Sequence, residues 1–339
     1  MHNGLKLYKT LQNNKPNILI FIDWFLPAYK AGGPIQSVYN IIQQLDKSFN
    51  FYVVTSDTDI DGPLNLYNYE KNKWLDQQDY QVMYLNKSHQ NRKSYKAIFT
   101  DLNFDTVYLN SLFSFRFTLL PLSVLFSQKV KIVLAPRGML GQGALSIKPA
   151  KKKLYLRLFR LLGWHKKIIW HATAETEQSE IVKTFGNEVS INVASNLSKK
   201  SLNVGLKKNK GQNELNVFFL SRISFIKNLK AAINIVQEVA PQLKLNFTII
   251  GPVEDKAYWR ECEEELHRLP KHVKYSIMGA IPNDKIASIL KDQHVLLLPT
   301  RHENFGHVII ESWQNACPAI ISDQTPWQDL EIEQTGVAL

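Results

Sequence analysis

Two glutamates, Glu303 and Glu311, stand eight positions apart around the segment Asn304-Phe305-Gly306. The apolar run at 294–298 is typical of a buried strand, and the apolar stretch after Gly306 is typical of a helix. We expect Glu303 in the loop and Glu311 two turns inside the helix. Free N–H groups at a helix start suit a phosphate, whereas carboxylates accept hydrogen bonds from hydroxyls. The combination predicts a sugar-nucleotide site; the alternative is two carboxylates that complement the helix dipole or face solvent.

Two cations, Arg222 and Lys227, follow a second strand-like run and precede a helical pattern that begins at Asn228. Fixed positive charges at the carboxyl end of a strand suit a pyrophosphate. The alternative is a pair of ordinary surface cations. Their place at a strand end favours the phosphate site.

Three other turns lie at the ends of predicted strands. The paired glycines Gly32 and Gly33 allow the backbone to approach a ligand closely, as does Gly251. They lack the third glycine of a dinucleotide fingerprint, so a plain loop is the alternative. Arg137, in the third turn, suits an anionic or hydroxylated acceptor, or else is a structural arginine.

Strand-like runs alternate with helical patterns along the whole chain, which predicts parallel sheets covered by helices. The predicted strands of the first half are 16–22, 51–55, 81–85, 106–109, 131–134 and 168–172, with helices at 35–45, 94–103, 117–126, 150–162 and 175–185. Those of the second half are 215–220, 245–250, 273–278, 294–298 and 319–322, with helices at 228–239, 258–268, 283–291 and 308–315.

This pattern predicts an α/β protein with two doubly wound, Rossmann-like domains that face a cleft. We place the first domain, which would bind the acceptor, at 1–195, a polar and lysine-rich linker at 196–213, and the nucleotide-sugar-binding domain at 214–339. Ligands bind such sheets at the carboxyl ends of the strands, so the turns described above are expected to line the cleft.

The composition is that of a globular protein, with 339 residues, 45% of them hydrophobic and 21% charged. Cys262 and Cys317 have no partner nearby in the sequence, so neither a disulfide framework nor a cysteine zinc site is expected. The N-terminal residues lack a signal-peptide pattern, and no apolar stretch is long enough to cross a bilayer. We therefore expect a cytoplasmic location.

Positive charge is concentrated in the first half of the chain. Residues 1–170 hold 23 Lys and Arg against 10 Asp and Glu, whereas residues 171–339 hold 18 against 20. The densest stretch, 151–167, interleaves cations with leucines and aromatic residues, which is typical of a basic amphipathic helix. Such a helix suits the anionic, cytoplasmic surface of a membrane; the alternative is a packed helix with a solvated lysine edge. Only the basic isoelectric point suggests a nucleic-acid partner, and we expect none.

In their order and spacing these motifs resemble those of the family 4 glycosyltransferases, retaining enzymes of the GT-B fold. The resemblance extends from about residue 16 to the end and is carried by Gly32-Gly33, 136–139, 172–175, 221–223, Lys227-Asn228, 250–251, 299–300 and the Glu303/Glu311 pair. It implies metal-independent transfer of a sugar, with retention, from a UDP- or GDP-sugar to a glycan or lipid-linked acceptor in surface polysaccharide synthesis. No cofactor besides the sugar nucleotide is implied.

The resemblance also implies a role for each residue. Arg222 and Lys227 would stabilise the leaving diphosphate, and Glu303 would bind the hydroxyls of the transferred sugar. The implied donor-binding residues are Gly32, Gly33, Gly251, Asn304, Phe305, Gly306 and Glu311, the last holding the ribose. Arg137 would face the acceptor.

The chain departs from the family pattern in two places. Relatives place a histidine near 108–112, where this chain has none, so no histidine receives a role. Relatives also continue beyond Leu339 with a strand and helices, so we expect an incomplete second domain with exposed apolar surface there. A catalytically silent sugar-nucleotide-binding protein and an epimerase of the same fold are alternatives to a transferase, although the paired cations and carboxylates favour transfer.

Overall fold

A computed structural model of the protein describes residues 15–64, 69–200, 208 and 210–339. The polar N-terminal stretch before Lys15 lies outside the described residues. So do residues 201–207 and 209, which belong to the predicted linker.

The first half of the chain forms one sheet with helices on both sides. Its strands are β1 (Asn17–Ile22), β2 (Asn50–Ser56), β3 (Thr58–Asp59), β4 (Gly62–Pro63), β5 (Trp74–Asp76), β6 (Gln81–Leu85), β7 (Thr106–Asn110), β8 (Lys131–Ala135), β9 (Ile169–Ala172) and β10 (Ser190–Val193). Its helices are α1 (Gly33–Leu45), α2 (Arg92–Asp101), α3 (Leu120–Leu125), α4 (Gln142–Ser146), α5 (Pro149–Leu161) and α6 (Glu175–Phe185).

The eight strands of this sheet are ordered β10-β9-β8-β7-β1-β2-β6-β5, and the small β3–β4 ribbon stands apart. Neighbouring strands are parallel except at the edge, where β5 pairs antiparallel with β6. Strand β1 shows why both faces are covered, because its successive side chains point to opposite faces. Leu19 and Phe21 join one apolar core, and Ile20 and Ile22 join the other.

The second half repeats this plan. Its strands are β11 (Glu214–Leu220), β12 (Lys244–Ile250), β13 (Val273–Gly279), β14 (Val295–Leu298), β15 (Ala319–Ile321) and β16 (Gly336–Ala338). Its helices are α7 (Leu229–Gln237), α8 (Lys256–Leu266), α9 (Asn283–Leu290) and α10 (His307–Gln314). All neighbours in the order β13-β12-β11-β14-β15-β16 are parallel.

In both sheets the chain reverses its direction of winding next to the first strand. The reversal lies between β1 and β7 in the first sheet and between β11 and β14 in the second. Loops that leave neighbouring strands at such a point diverge to opposite faces and open a crevice at the carboxyl ends. The predicted pair of doubly wound, parallel sheets is therefore present.

Three local features differ from the sequence-based expectation. The predicted helix 117–126 is a π-helical turn, Phe115–Leu119, followed by α3, since Pro121 near the start of α3 lacks an N–H for a continuous helix. Strands β3, β4, β5, β10 and β16 were not predicted, because each is at most four residues long and contains no three consecutive apolar residues. Glu311 lies one turn inside α10 rather than two, because the helix begins at His307.

Gly251 allows the loops after β11 and β12 to touch. Its φ is +144°, and a Cβ on it would lie 1.8 Å from the Ser221 carbonyl oxygen. The contact continues in a parallel bridge between Ile223 and Val253. Gly251 therefore sets the shape of the loop that carries Arg222.

Replacing Gly251 by alanine is expected to lower the free energy of unfolding by about 2 kcal/mol, because backbone must move to make room. Gly279→Ala is the matched control, since Gly279 also has a positive φ of +67° but no atom within 4 Å of its added Cβ. It should cost about 1 kcal/mol from the backbone alone. Chemical denaturation measures both, and equal losses would contradict the packing role of Gly251.

Candidate active site

The loops after β11 and β14 meet at the reversal point of the second sheet. Lys227 Nζ donates to Glu303 Oε2 over 2.7 Å, and little of either side chain is exposed. The loops are held together beneath this pair, where Asn228 Nδ2 donates to the Pro299 carbonyl and Thr300 Oγ1 to the Ile226 carbonyl. A cation and a carboxylate 76 positions apart in sequence thus form one unit.

This unit fixes the charge of Glu303. Burial raises the pKa of the Glu303 carboxyl, but the charge and hydrogen bond of Lys227, with smaller contributions from His302 and His307, outweigh it and lower the pKa overall. Glu303 is therefore an anion that can accept hydrogen bonds from hydroxyls, and Lys227 is held where a charge can be stabilised.

The N-terminus of α10 adjoins the Lys227–Glu303 pair. Gly306 caps it with a φ of +78°, and Trp327 Nε1 donates to the Phe305 carbonyl over 2.5 Å. Within the described part of the chain, the backbone N–H groups of Phe305, Gly306 and His307 have no acceptor. This helix start is therefore suited to bind an anion.

A second helix N-terminus faces the first from across the cleft. Helix α1 begins at Gly33, and its cap Gly32 has a φ of +68°. A Cβ on Gly33 would lie 3.9 Å from His307 Cδ2, and Ser37 Oγ hydrogen-bonds His307 Nε2 at 2.8 Å. Burial, with a smaller contribution from Arg137, lowers the pKa of His307 to about 4, so its imidazole is neutral near pH 7. The two positive helix ends thus converge without an added charge from His307.

Glu311 is partly buried on α10, and its side chain has one partner on α9. Asn283 Nδ2 donates to Glu311 Oε1 over 2.6 Å. Burial raises the pKa of Glu311, while the Asn283 hydrogen bond and the charge of Lys199 partly offset the shift. The second carboxylate oxygen has no partner among the described residues and suits a ligand hydroxyl.

Arg222 follows the carboxyl end of β11 and is already paired. Its Nη1 donates to Glu254 Oε1 over 2.5 Å, and both side chains are exposed. An exposed pair of this kind exchanges partners at little cost. A phosphate can therefore take the place of Glu254.

Arg137 lies in the first domain, in the loop that follows β8. Its backbone has a left-handed conformation with φ +58°. Its guanidinium donates to Asn110 Oδ1 over 2.8 Å, to Tyr108 Oη over 2.9 Å and to Asn196 Oδ1. The Tyr108 hydroxyl in turn lies 2.8 Å from His171 Nδ1. These three hydrogen bonds hold the Arg137 side chain in place. Two of the five guanidinium N–H groups remain for a ligand.

A second polar chain joins the two domains. Asn304 Nδ2 donates to Thr173 Oγ1 over 2.7 Å, and Thr173 donates its hydroxyl proton to Glu177 Oε2 over 2.7 Å. Glu177 is buried and also accepts from the Gly138 N–H over 2.6 Å. Asn304 therefore contacts the first domain, beside the loop that carries Arg137.

Several residues of the site were not given roles from the sequence. They are Ser37, Glu177, Asn283 and His307, together with the Trp327 indole. Of these residues, only His307 could have been found from the sequence, because it directly follows the Asn304-Phe305-Gly306 segment. The others come from elements far apart in sequence, and no local spacing reveals their contacts.

No group of three or more His, Cys, Asp or Glu side chains in the described part of the chain is arranged to hold a metal ion. None of the helices in that part is both long and apolar enough to span a membrane.

Comparison with known proteins assigns the fold. The family model described as glycosyl transferases group 1 matches residues 206–335, so the second domain resembles that family. A search of curated proteins found no match.

Solved structures match most of the chain. HepE from Anabaena in complex with UDP and glucose has a TM-score of 0.65 at 15% identity, covering 91% of this chain and 81% of that chain. Sucrose-phosphate synthase from Thermosynechococcus elongatus has a TM-score of 0.67 at 14% identity, covering 96% and 86%. A trehalose-6-phosphate synthase studied for glycosyltransfer with retention has a TM-score of 0.62 at 12% identity, covering 96% and 88%. The chain therefore has the GT-B fold, which confirms the predicted architecture.

Proposed function

We propose that the protein is a glycosyltransferase that moves a sugar, with retention and without a metal ion, from a UDP- or GDP-sugar to a hydroxylated acceptor. One observation carries the proposal: the N-termini of α1 and α10 converge beside the Lys227–Glu303 pair. Two positive helix ends and a cation suit a diphosphate, and the adjacent carboxylates suit sugar and ribose hydroxyls. The family match of the second domain and the UDP-containing HepE structure are consistent with it.

In the proposed reaction the bond between the anomeric carbon and the diphosphate oxygen breaks, and a bond to the acceptor oxygen forms on the same face. The acceptor proton passes to the departing phosphate. Negative charge grows on the diphosphate, where Lys227, Arg222 and the N–H groups of α10 would stabilise it. Glu303 would position the transferred sugar, and Glu311 the ribose.

We place the acceptor against the first domain, near Arg137. A glycan or a lipid-linked sugar is the proposed acceptor, and surface polysaccharide synthesis on the cytoplasmic side of a membrane is the proposed setting. The two free N–H groups of the Arg137 guanidinium suit a hydroxyl or a phosphate of such an acceptor.

The test is calorimetric titration with UDP-, GDP- and ADP-sugars, followed by turnover assays with and without a chelator. Nucleotide release that persists in the chelator, with retained anomeric configuration in the product, supports the proposal. Binding without turnover on any offered acceptor favours the silent binding protein. The absence of binding for all three nucleotides rejects the site.

Arg222 and Glu254 give a paired prediction for donor binding. Arg222→Met should weaken binding of the preferred nucleoside diphosphate about tenfold, through loss of one charged hydrogen bond. Glu254→Gln should strengthen binding about threefold, because Arg222 no longer has to leave an ion pair. Calorimetry measures both affinities.

The control is the double variant. With Arg222 already replaced, Glu254→Gln should have no further effect on the affinity. An equal gain in both backgrounds would mean that Glu254 acts only by repelling the ligand.

A further inference from the structure

Helix α5 has apolar side chains on two opposite faces. Tyr155, Leu156 and Phe159 pack into the core of the first domain. Leu154, Leu158 and Leu161 recur at intervals of four and three residues, so they form a single stripe on the other side. These leucines are 60%, 51% and 82% exposed, and nothing in the described part of the chain covers them. A packed helix with a solvated lysine edge does not explain an exposed leucine stripe.

Cations flank the leucine stripe. With about 100° between successive residues, Lys153, Arg157 and Arg160 lie along one side of the stripe and Lys151 along the other. None of the four forms an ion pair within the described residues. The chain carries no Asp or Glu between Asp105 and Glu175, so no nearby carboxylate offsets this charge.

We infer that the outer face of α5 docks on the surface of an anionic lipid bilayer, with its leucines among the acyl chains and its cations at the lipid phosphates. A bilayer of this kind complements both the apolar stripe and its basic flanks. A second copy of the chain does not complement the basic flanks, because a symmetric contact would bring like charges together. Nucleic acid does not complement the apolar stripe, because leucines neither stack on bases nor bind phosphates.

The contacts of α5 also indicate where the cleft would lie relative to the membrane surface. Tyr155 Oη donates to the Leu112 carbonyl, and Lys152 Nζ lies 5.1 Å from the centre of the Phe113 ring. These contacts attach the first half of α5 to the loop after β7, which leads into the π-helical turn with its exposed Phe115. That loop leaves the carboxyl end of the first sheet. The docked protein would therefore hold its cleft beside the membrane, and a lipid-linked acceptor, which rests on the proposed function, could enter from there.

Flotation of the full chain with phosphatidylcholine vesicles, with and without phosphatidylglycerol, tests the docking independently of catalysis. The protein should float only with the anionic vesicles, and less so as salt is raised. The double substitution Leu158→Ser and Leu161→Ser should reduce the bound fraction about tenfold or more. Arg157→Glu should also reduce it, and thermal unfolding should show that both variants remain folded.

Ile332→Ser is the matched control. Ile332 is 79% exposed, like Leu161, but lies on the second domain, and its substitution should leave flotation unchanged. Equal binding to both kinds of vesicle, or unchanged binding after the leucine substitutions, would overturn the inference. So would a dimer in analytical ultracentrifugation that those same substitutions dissociate. Nucleotide titration of the same samples tells a failed docking inference from a failed donor site.

Discussion

Replacing Lys227 by methionine is expected to lower kcat/KM about a thousandfold, or about 4 kcal/mol, the upper range for loss of one group that stabilises transition-state charge. Lys227 Nζ lies 2.7 Å from Glu303 Oε2 at the point where the loops after β11 and β14 meet. In the proposed reaction its charge is most useful when the diphosphate departs. The loss should therefore fall on kcat more than on KM, and steady-state assays of nucleotide release measure both.

Two controls distinguish catalysis from folding. Lys230→Met removes a cation three positions away that pairs with Glu261 on the surface, and it should leave kcat unchanged. The double variant Lys227→Met and Glu303→Gln removes both charges, so it avoids the cost of an unpaired buried carboxylate. If the double variant recovered both stability and activity, Lys227 would be only a counter-ion for Glu303. Recovered stability with activity still lost would show that the loss in Lys227→Met is not a folding defect and that the Lys227–Glu303 pair itself is needed for the reaction.

The sequence was sufficient for the features that depend on strand ends. Lys227 and Glu303 are far apart in the chain, and alternation predicted that each would lie at the carboxyl end of a strand. That the two strands are neighbours at the reversal point is given only by the structure. Gly32 and Gly33 were predicted to lie in a loop before a helix at 35–45, and the structure places Gly32 at the N-cap of α1 and Gly33 in its first turn. Parallel, buried strands are apolar along their length, which makes them readable without a structure.

Other features depend on tertiary distances that no local pattern encodes. Asn304 was predicted to bind the donor sugar nucleotide, and the structure shows that its amide also reaches Thr173 across the cleft. Gly251 was predicted to contact the donor, whereas the structure gives a packing reason for glycine at that position. The partners of Arg137 come from three separate segments. Donor and acceptor roles for these residues remain predictions.

Replacing Glu311 by alanine is expected to weaken donor binding about a hundredfold, or about 2.7 kcal/mol, near the upper value for one hydrogen bond to a charged group. Modified ligands test whether the ribose is the partner. The wild-type protein should discriminate between UDP and its 2′-deoxy or 3′-deoxy analogue, whereas Glu311→Ala should bind them alike. If the variant kept full discrimination, Glu311 would not contact the ribose, whatever its effect on affinity.

Asn283→Ala tests the same contact through pH. The ionised carboxylate accepts hydrogen bonds at both oxygens, whereas protonation removes its charge and turns one oxygen into a donor, so donor affinity should fall as the pH is lowered through the raised pKa of Glu311. The Asn283 hydrogen bond lowers that pKa, and its removal should raise it further. The acidic limb of the affinity profile should therefore move to higher pH in Asn283→Ala and disappear in Glu311→Ala. Calorimetry across the acidic range measures both profiles, and an acidic limb that persists in Glu311→Ala would assign it to another group.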